Sequence, residues 1–386
     1  MLTVYSICEI GFWGACAVIF YVYVGYPLVL ALLSSFRSRP VEREDKFNPS
    51  VSIVISAFNE QEHIGATIEN KLALNYPSEK LEILTTSDGS TDRTDDIVRS
   101  FTDRRVRYFR QYPQQGKSSA INKMVLEAKG DIIVVSDANS IYQREAILKL
   151  VRNFADRNVG YVTGKMVYVD KTGSGVGSGC TAYMRYENVL RKLETQVGSV
   201  IGVDGGIDAF RKSLYIPLAP GALPDFVAPL QVIQGGHRVV YEKEALLQES
   251  TLSNSNDEWR MRIRVILRSF HAINRMKTLL NPLRFPVVSF QIISHKILRY
   301  LVGIFQVFAL GFNIILAMDS SLYLGFLTVH LLFYLLALIG SSKVFGSFVP
   351  GAKYAFYFCL LNTSALFALV RFTKGEEQVL WKPRRS

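Results

Sequence analysis

Cysteine is scarce and poorly placed for pairing. The four in the chain, Cys8, Cys16, Cys180 and Cys359, lack disulfide or metal-ligand spacing. That excludes a disulfide-stapled or zinc-ribbon design and suits a reducing compartment. Charge is missing altogether from Gly11 to Phe36, "GFWGACAVIFYVYVGYPLVLALLSSF", a stretch long enough to cross a bilayer. No Lys or Arg precedes that stretch, its apolar core is long, and no small-x-small site follows, so a cleaved signal peptide is not expected. From Pro40 to Leu280 nothing is comparably apolar; beyond Phe285 long apolar runs return. Acidic residues are the minority, 33 against 44 basic. The basic ones lack the interleaved aromatics of a nucleic-acid surface and gather beside the apolar runs and along "EWRMRIRVILRSF". They are expected to face anionic headgroups and a phosphorylated substrate, with no nucleic-acid partner.

These runs divide the chain into an N-terminal transmembrane helix (1–40), a cytosolic domain (41–280) and a C-terminal membrane region (281–386). The last opens on an interfacial helix, "NPLRFPVVSFQIISHKILRYL", and ends on a short basic tail. Arg37, Arg39 and Arg43 follow the first run, so the amino terminus is expected outside and the central domain in the cytoplasm, at the inner membrane. Three later spans would put "KGEEQVLWKPRRS" outside, against its basic ending; sequence leaves that topology open. Within the central domain "SVSIVISAF", "LEILTTS", "RVRYFRQ" and "DIIVVSDAN" read as strands alternating with helical patterns. The expected fold is α/β, a mostly parallel sheet of the doubly wound type, with ligands beyond the carboxyl ends of the strands.

Polar residues stand just there. Strand one ends in "AFNE", strand two in "SDGSTD", strand four in "SDANS", and "QQGKSSAIN" lies between. A DGS after a strand is more often a turn than a ligand site, and a lone Lys after Gly is usually solvated. Four such elements at one sheet edge argue together for a site. "KTGSGVGSG", Lys171 to Gly179, lacks the Gly-Lys-Ser/Thr ending of a phosphate loop and reads as a flexible surface loop.

The series "VSIVISAFNE", "DGSTD", "GKSSAIN", "SDAN", "DFVAPL", "GHRVVYE" and "SHKILRYL" resembles the membrane-bound, inverting family 2 glycosyltransferases of GT-A fold. The resemblance implies a nucleotide-sugar donor, a UDP-sugar first, and a lipid-linked or growing glycan acceptor. Phe58 would cover the base, Glu60 the ribose hydroxyls, and Asp88 the base N3–H, with Gly89 allowing close approach. Asp92, the second acid of "DGSTD", is equally well only the N-cap of the following helix. Lys117 would meet the diphosphate. Asp137 would hold Mg²⁺ or Mn²⁺ across the phosphates, or bond the ribose, with Asn139 a second metal candidate that stands where the family has an acid and offers an amide oxygen without charge. Asp225 would be the general base, or a helix cap, or both. Gly205 and Gly206 would admit a sugar ring, with Asp204 or Asp208 binding hydroxyls. Arg262, Arg264 and Arg268 sit where processive synthases carry QxxRW, which is absent; they would hold diphosphate or headgroups. The alternatives are a processive synthase of the cellulose or hyaluronan type and a non-catalytic nucleotide-binding scaffold.

Overall fold

The computed structural model describes residues 4–169, 175–250, 254–342 and 344–377. They fall into two compact units, one from the described residues within 36–169 and 187–250, the other from those within 1–35, 170–186 and 251–377.

The first unit is built on one eight-stranded sheet: β1 (Val51–Ala57), β2 (Leu81–Asp88), β3 (Val106–Gln111), β4 (Ile132–Asp137), β5 (Ile141–Tyr142), β6 (Val159–Val169), β7 (Ile207–Arg211) and β8 (Arg238–Ser250). Their order is β3-β2-β1-β4-β7-β6-β8-β5. Unbroken aliphatic runs such as Ile53, Val54 and Ile55 are buried in β1, the pattern of a parallel strand covered on both faces. The β1, β2, β3 and β4 pairings are parallel, as the β–α alternation implies. β7 then runs antiparallel between β4 and β6. The carboxyl end of β4 therefore meets the start of β7, Ser136 opposite Ile207 and Val135 opposite Asp208. Loops from both halves of the sheet converge at that edge.

The second unit holds four helices long and apolar enough to cross a membrane: Val4–Phe36, Pro286–Leu316, Ser321–Ser341 and Ala352–Thr373. The expected interfacial segment does not stand apart. It forms the first turns of the 31-residue Pro286–Leu316 helix, through a π-helical stretch at Ile292–Ile297. Its polar groups find partners on the first helix: Ser294 Oγ lies 2.8 Å from Tyr21 Oη, and the His295 ring lies against Tyr26. The Ser255–Arg275 helix packs Ile263, Ile266, Leu267 and Phe270 onto Ala365 and Ala368. Of the "KTGSGVGSG" loop, residues 170–174 lie outside the described residues; from Gly175 the chain is already the Gly175–Val197 helix. The glycine at 179 has a packing reason, since a Cβ there would sit 2.4 Å from Tyr357 Cβ.

Candidate active site

The loop after β1 and the loop after β2 are stitched into one surface. Asn59, in the left-handed region at φ 54°, accepts from Thr91 N with its side-chain oxygen and donates its own N–H to Ser90 Oγ. Glu60 N donates to Thr94 Oγ1. Asp92 accepts from Thr94 N and Gln61 N, which ties the two loops together at the start of the Thr94–Arg99 helix, whose N-cap is Arg93 rather than Asp92. Phe58 and Glu60 stand half-buried at the end of β1.

Asp88 is 2% exposed, and its carboxylate closes on the chain's own glycine-lysine loop. Oδ1 accepts from the Gln111 amide and from Gln115 N at 2.8 Å; Oδ2 accepts from Gly116 N at 2.8 Å. Gly89 (φ +76°) makes its close approach to the backbone of Gln114, 3.2 Å from where a Cβ would stand. This clamp sets the start of the Lys117–Glu127 helix. Lys117 Nζ then reaches Asp137 Oδ1 at 2.5 Å. Burial works against the lysine's charge, but Asp137, Asp225 and Asp208 outweigh it and raise its pKa, so it stays cationic.

The rest of "GKSSAIN" brings the acceptor half over. Ser118 Oγ donates to Ala222 O, and Asn122 bonds Leu218 through both its amide nitrogen and oxygen. The chain segment just before Asp225 is thereby fixed to the helix that carries Lys117. Asp225 lies in the first turn of the Pro224–Gln234 helix, whose N-cap is Leu223; the aspartate benefits from the helix dipole without being the cap. Gly205 makes room for it. At φ +85°, a Cβ on Gly205 would sit 2.6 Å from Asp225 Oδ2. Lys117, Gly205, Asp208 and Asp225 line one cleft.

Two neighbours of Gly205 go elsewhere. Asp204 is expected to bind sugar hydroxyls, but its carboxylate is buried in an ion pair with Arg191 at 2.7 Å and accepts from Met166 N. Gly206 is packed by Leu247 and Ser140, which a Cβ would meet at 2.8 and 3.2 Å. Of Asp204 and Asp208, the one that lines the cleft together with Asp225 is Asp208. Its signal in the sequence is "IDAF", a carboxylate in the middle of a strand on the same face as a phenylalanine, where an aliphatic residue belongs.

The turn Asp137–Ser140 is held from below by the Ile64–Leu72 helix. Thr67 Oγ1 donates to Ala138 O, and the wholly buried Lys71 donates to Ser140 O at 2.6 Å with its ammonium 3.5 Å from the Tyr142 ring centre. Burial drives the Lys71 pKa well below its ordinary value, with Asp137 opposing. Asn139 Nδ2 points to Glu249 Oε1 at 3.4 Å, which leaves the amide oxygen as its atom for a cation. Among the described residues no three His, Cys, Asp or Glu gather as a ready-made metal cage. Asp137 and Asn139 do offer hard oxygens at one turn, and Mg²⁺ commonly takes one or two protein oxygens and completes its shell from phosphates and water; the donor set fits. Arg262, Arg264 and Arg268 belong to the other unit, where Arg262 bonds Glu258 Oε1 and Tyr357 Oη, both at 2.8 Å.

Residues 52–214 match the family model described as Glycosyl transferase family 2. The chain is 28% identical over 244 residues to the probable glycosyltransferase YdaM of Bacillus subtilis, covering 59% of this chain and 57% of that protein. It is 25% identical over 250 residues to a poly-β-1,6-N-acetyl-D-glucosamine synthase of Staphylococcus aureus, covering 61% and 59%. It thus matches under two thirds of each relative's length. The mannosyltransferase PcManGT of Pyrobaculum calidifontis, solved with GDP-Man and Mn²⁺, superposes with a TM-score of 0.71 at 20% identity over 94% of this chain and 99% of that one; the likeness is one of fold. Residues 52–214, which hold the first four strands and the start of the acceptor half, therefore form a domain that matches glycosyl transferase family 2, on a fold shared with a mannosyltransferase.

Proposed function

We propose that the chain is an inverting transferase that moves a sugar from a nucleotide-sugar, UDP-linked in the first instance, onto a lipid-linked or growing glycan at the cytosolic face of the inner membrane. The observation that carries this reading is the convergence of a cation and two acids, Lys117, Asp208 and Asp225, on one cleft beside the β4 edge. In it Lys117 exchanges its pairing with Asp137 for the diphosphate, a point charge against a multiply charged ligand. Asp137 and Asn139 would hold the divalent cation, which when bound supplies charge neutralisation at the departing diphosphate. Asp225 takes the proton of the incoming hydroxyl as it attacks the anomeric carbon on the face opposite the leaving nucleotide. The hydroxyl oxygen forms the new glycosidic bond, the bond to the diphosphate breaks, and the proton ends on Asp225. The relatives' names, a polymer synthase and a mannosyltransferase, support nucleotide-sugar chemistry without fixing the sugar.

The similarity to a poly-N-acetylglucosamine synthase favours a second reading, processive extension. One assay separates the two. Purified enzyme is offered UDP-GlcNAc, UDP-glucose and GDP-mannose with membrane extract as acceptor, with and without Mg²⁺ or Mn²⁺, reading released nucleoside diphosphate and product length. Divalent-dependent release with single additions is expected. A ladder of products from one donor establishes the synthase reading instead, and no release from any donor overturns both.

A further inference from the structure

Asp225 stands at the end of a segment that has little of its own to hold it. Residues 215–223 join the short helical turn Lys212–Leu214 to the Pro224–Gln234 helix. Pro217 and Pro220 offer no N–H, and Gly221 turns the chain at φ +71°. The backbone closes tight local turns, Tyr215 N to Lys212 O and Ala222 N to Ala219 O. What ties the segment to the rest of the domain comes from the Lys117–Glu127 helix. Asn122 sets its amide against the backbone of Leu218 as a paired strand would: Nδ2 donates to Leu218 O at 2.9 Å, and Oδ1 accepts from Leu218 N at 2.8 Å. The same oxygen accepts from Tyr215 Oη at 2.5 Å, and the Tyr215 ring stacks on Phe210 with centroids 5.2 Å apart. One turn earlier on the helix, Ser118 Oγ donates at 2.7 Å to Ala222 O, three residues before Asp225.

Neither Ser118 nor Asn122 lines the cleft. Their helix neighbours Lys117 and Ile121 do, and so do Tyr215, Leu218, Pro224 and Asp225 from the segment they hold. The bonds of Ser118 and Asn122 therefore lie behind the cleft wall, at the seam where helix and segment meet. We propose that Asn122 and Ser118 are positioning residues for the transfer step: they hold the segment that leads into Asp225 in register with Lys117. The proposal rests on the reading of Asp225 as the base. The start of the same helix is fixed by Asp88 through Gln115 N and Gly116 N. One helix thus sets Lys117 against the leaving diphosphate and, through its second turn, Asp225 against the incoming hydroxyl. A reacting group displaced by about 1 Å costs on the order of a hundredfold in rate, and that loss falls on transfer rather than on binding of the donor. An asparagine suits the post because its amide donates and accepts side by side, matching the C=O and N–H of a single residue.

The test measures donor binding and transfer side by side on the full-length enzyme in detergent. Calorimetry with UDP-GlcNAc, UDP-glucose and GDP-mannose reads the donor, and nucleoside diphosphate released with membrane extract as acceptor reads kcat. N122A, and N122D, which sets an oxygen against Leu218 O, should each lower kcat about 10- to 100-fold with donor affinity within about twofold of wild type. S118A should lower it by about 3- to 10-fold and serves where the Asn122 variants fold poorly; S118T, which keeps the hydroxyl, should recover most of the rate. Because the effect runs through Asp225, N122A added to D225N should slow transfer by no more than about threefold beyond D225N alone. Donor affinity falling in step with kcat marks a merely structural role and overturns the proposal. So does a wild-type kcat in both N122A and S118A, or a full N122A effect in the D225N background. Transfer at the wild-type rate by D225N alone is a separate result, read with residues 118 and 122 intact, and it defeats the base assignment. Binding of none of the donors by wild type ends both.

Discussion

Asp88 and Asp208 are both buried aspartates at the sheet's edge, and their bonding separates their roles. Three donors converge on Asp88, so D88A strands the Gln111 amide and two backbone N–H groups at about 1–3 kcal/mol for each group that stays buried. The expected result in thermal unfolding is a marked loss of stability, with UDP and GDP affinity falling together because Lys117 loses its seat; a loss confined to one base identity would instead favour a base-reading role. Asp208 predicts the opposite sign. Burial pushes its carboxyl up to about 7 when folded against 3.8 as the reference, so the folded chain holds the proton longer. Stability from this group is then lost as pH rises from about 4 to about 7 and is level beyond. D208N removes that slope, and its melting temperature relative to wild type should climb across the window and plateau above it. A constant offset contradicts the assignment. The chemistry of these positions was legible only in part. "DGS" and "GKS" announce a loop clamp as readily as a ligand contact, and Asp204 and Asp208 read alike until Arg191, far off in sequence, claims one of them.

At the scale of elements, helices act as the fixtures of the site. The Ile64–Leu72 helix holds the Asp137–Ser140 turn through Thr67 and Lys71. K71A leaves the Ser140 carbonyl without its donor and opens a void, at a cost of about 2–5 kcal/mol. We expect lower thermal stability and weaker nucleotide-sugar binding together; wild-type binding in a destabilised K71A would show the turn to be independent of its support. Gly205 is the matching fixture for Asp225. G205A forces a side chain onto φ +85° and into the Asp225 carboxylate, so transfer should fall at least tenfold, with UDP and GDP affinity retained. The first half of the sheet was readable because β1, β2 and β4 are aliphatic runs punctuated by polar loops. The second half, where β7 runs against its neighbours, was harder: Lys165, Glu242 and Glu244 interrupt β6 and β8, and a glycine-rich loop turned out to open a helix whose Gly179 is needed for close packing.

For the whole molecule, length and hydropathy nominate four spans, but the last is bonded along its course to the Ser255–Arg275 helix. Tyr357 Oη meets Glu258, Phe372 stacks on Phe270, and just beyond the helix Glu376 O meets His271 and Glu377 meets Arg275. The Ser255–Arg275 helix lies ahead of the Pro286–Leu316 helix in the chain, and among the described residues no candidate span separates it from the sheet. Residue 376 is therefore expected on the same membrane face as Arg275, at the carboxyl end of the Ser255–Arg275 helix. Labelling E376C and K277C with an impermeant maleimide should modify both from one side of the membrane; modification of the two from opposite sides would make the last helix a true crossing. The central claim is that Asp225 removes the acceptor's proton in a cleft that grips the donor independently of it. The direct measurement is transfer rate beside donor affinity in D225N: the account predicts a rate lower by about 10²–10⁴-fold with nucleotide-sugar binding intact, and transfer at the wild-type rate would contradict it.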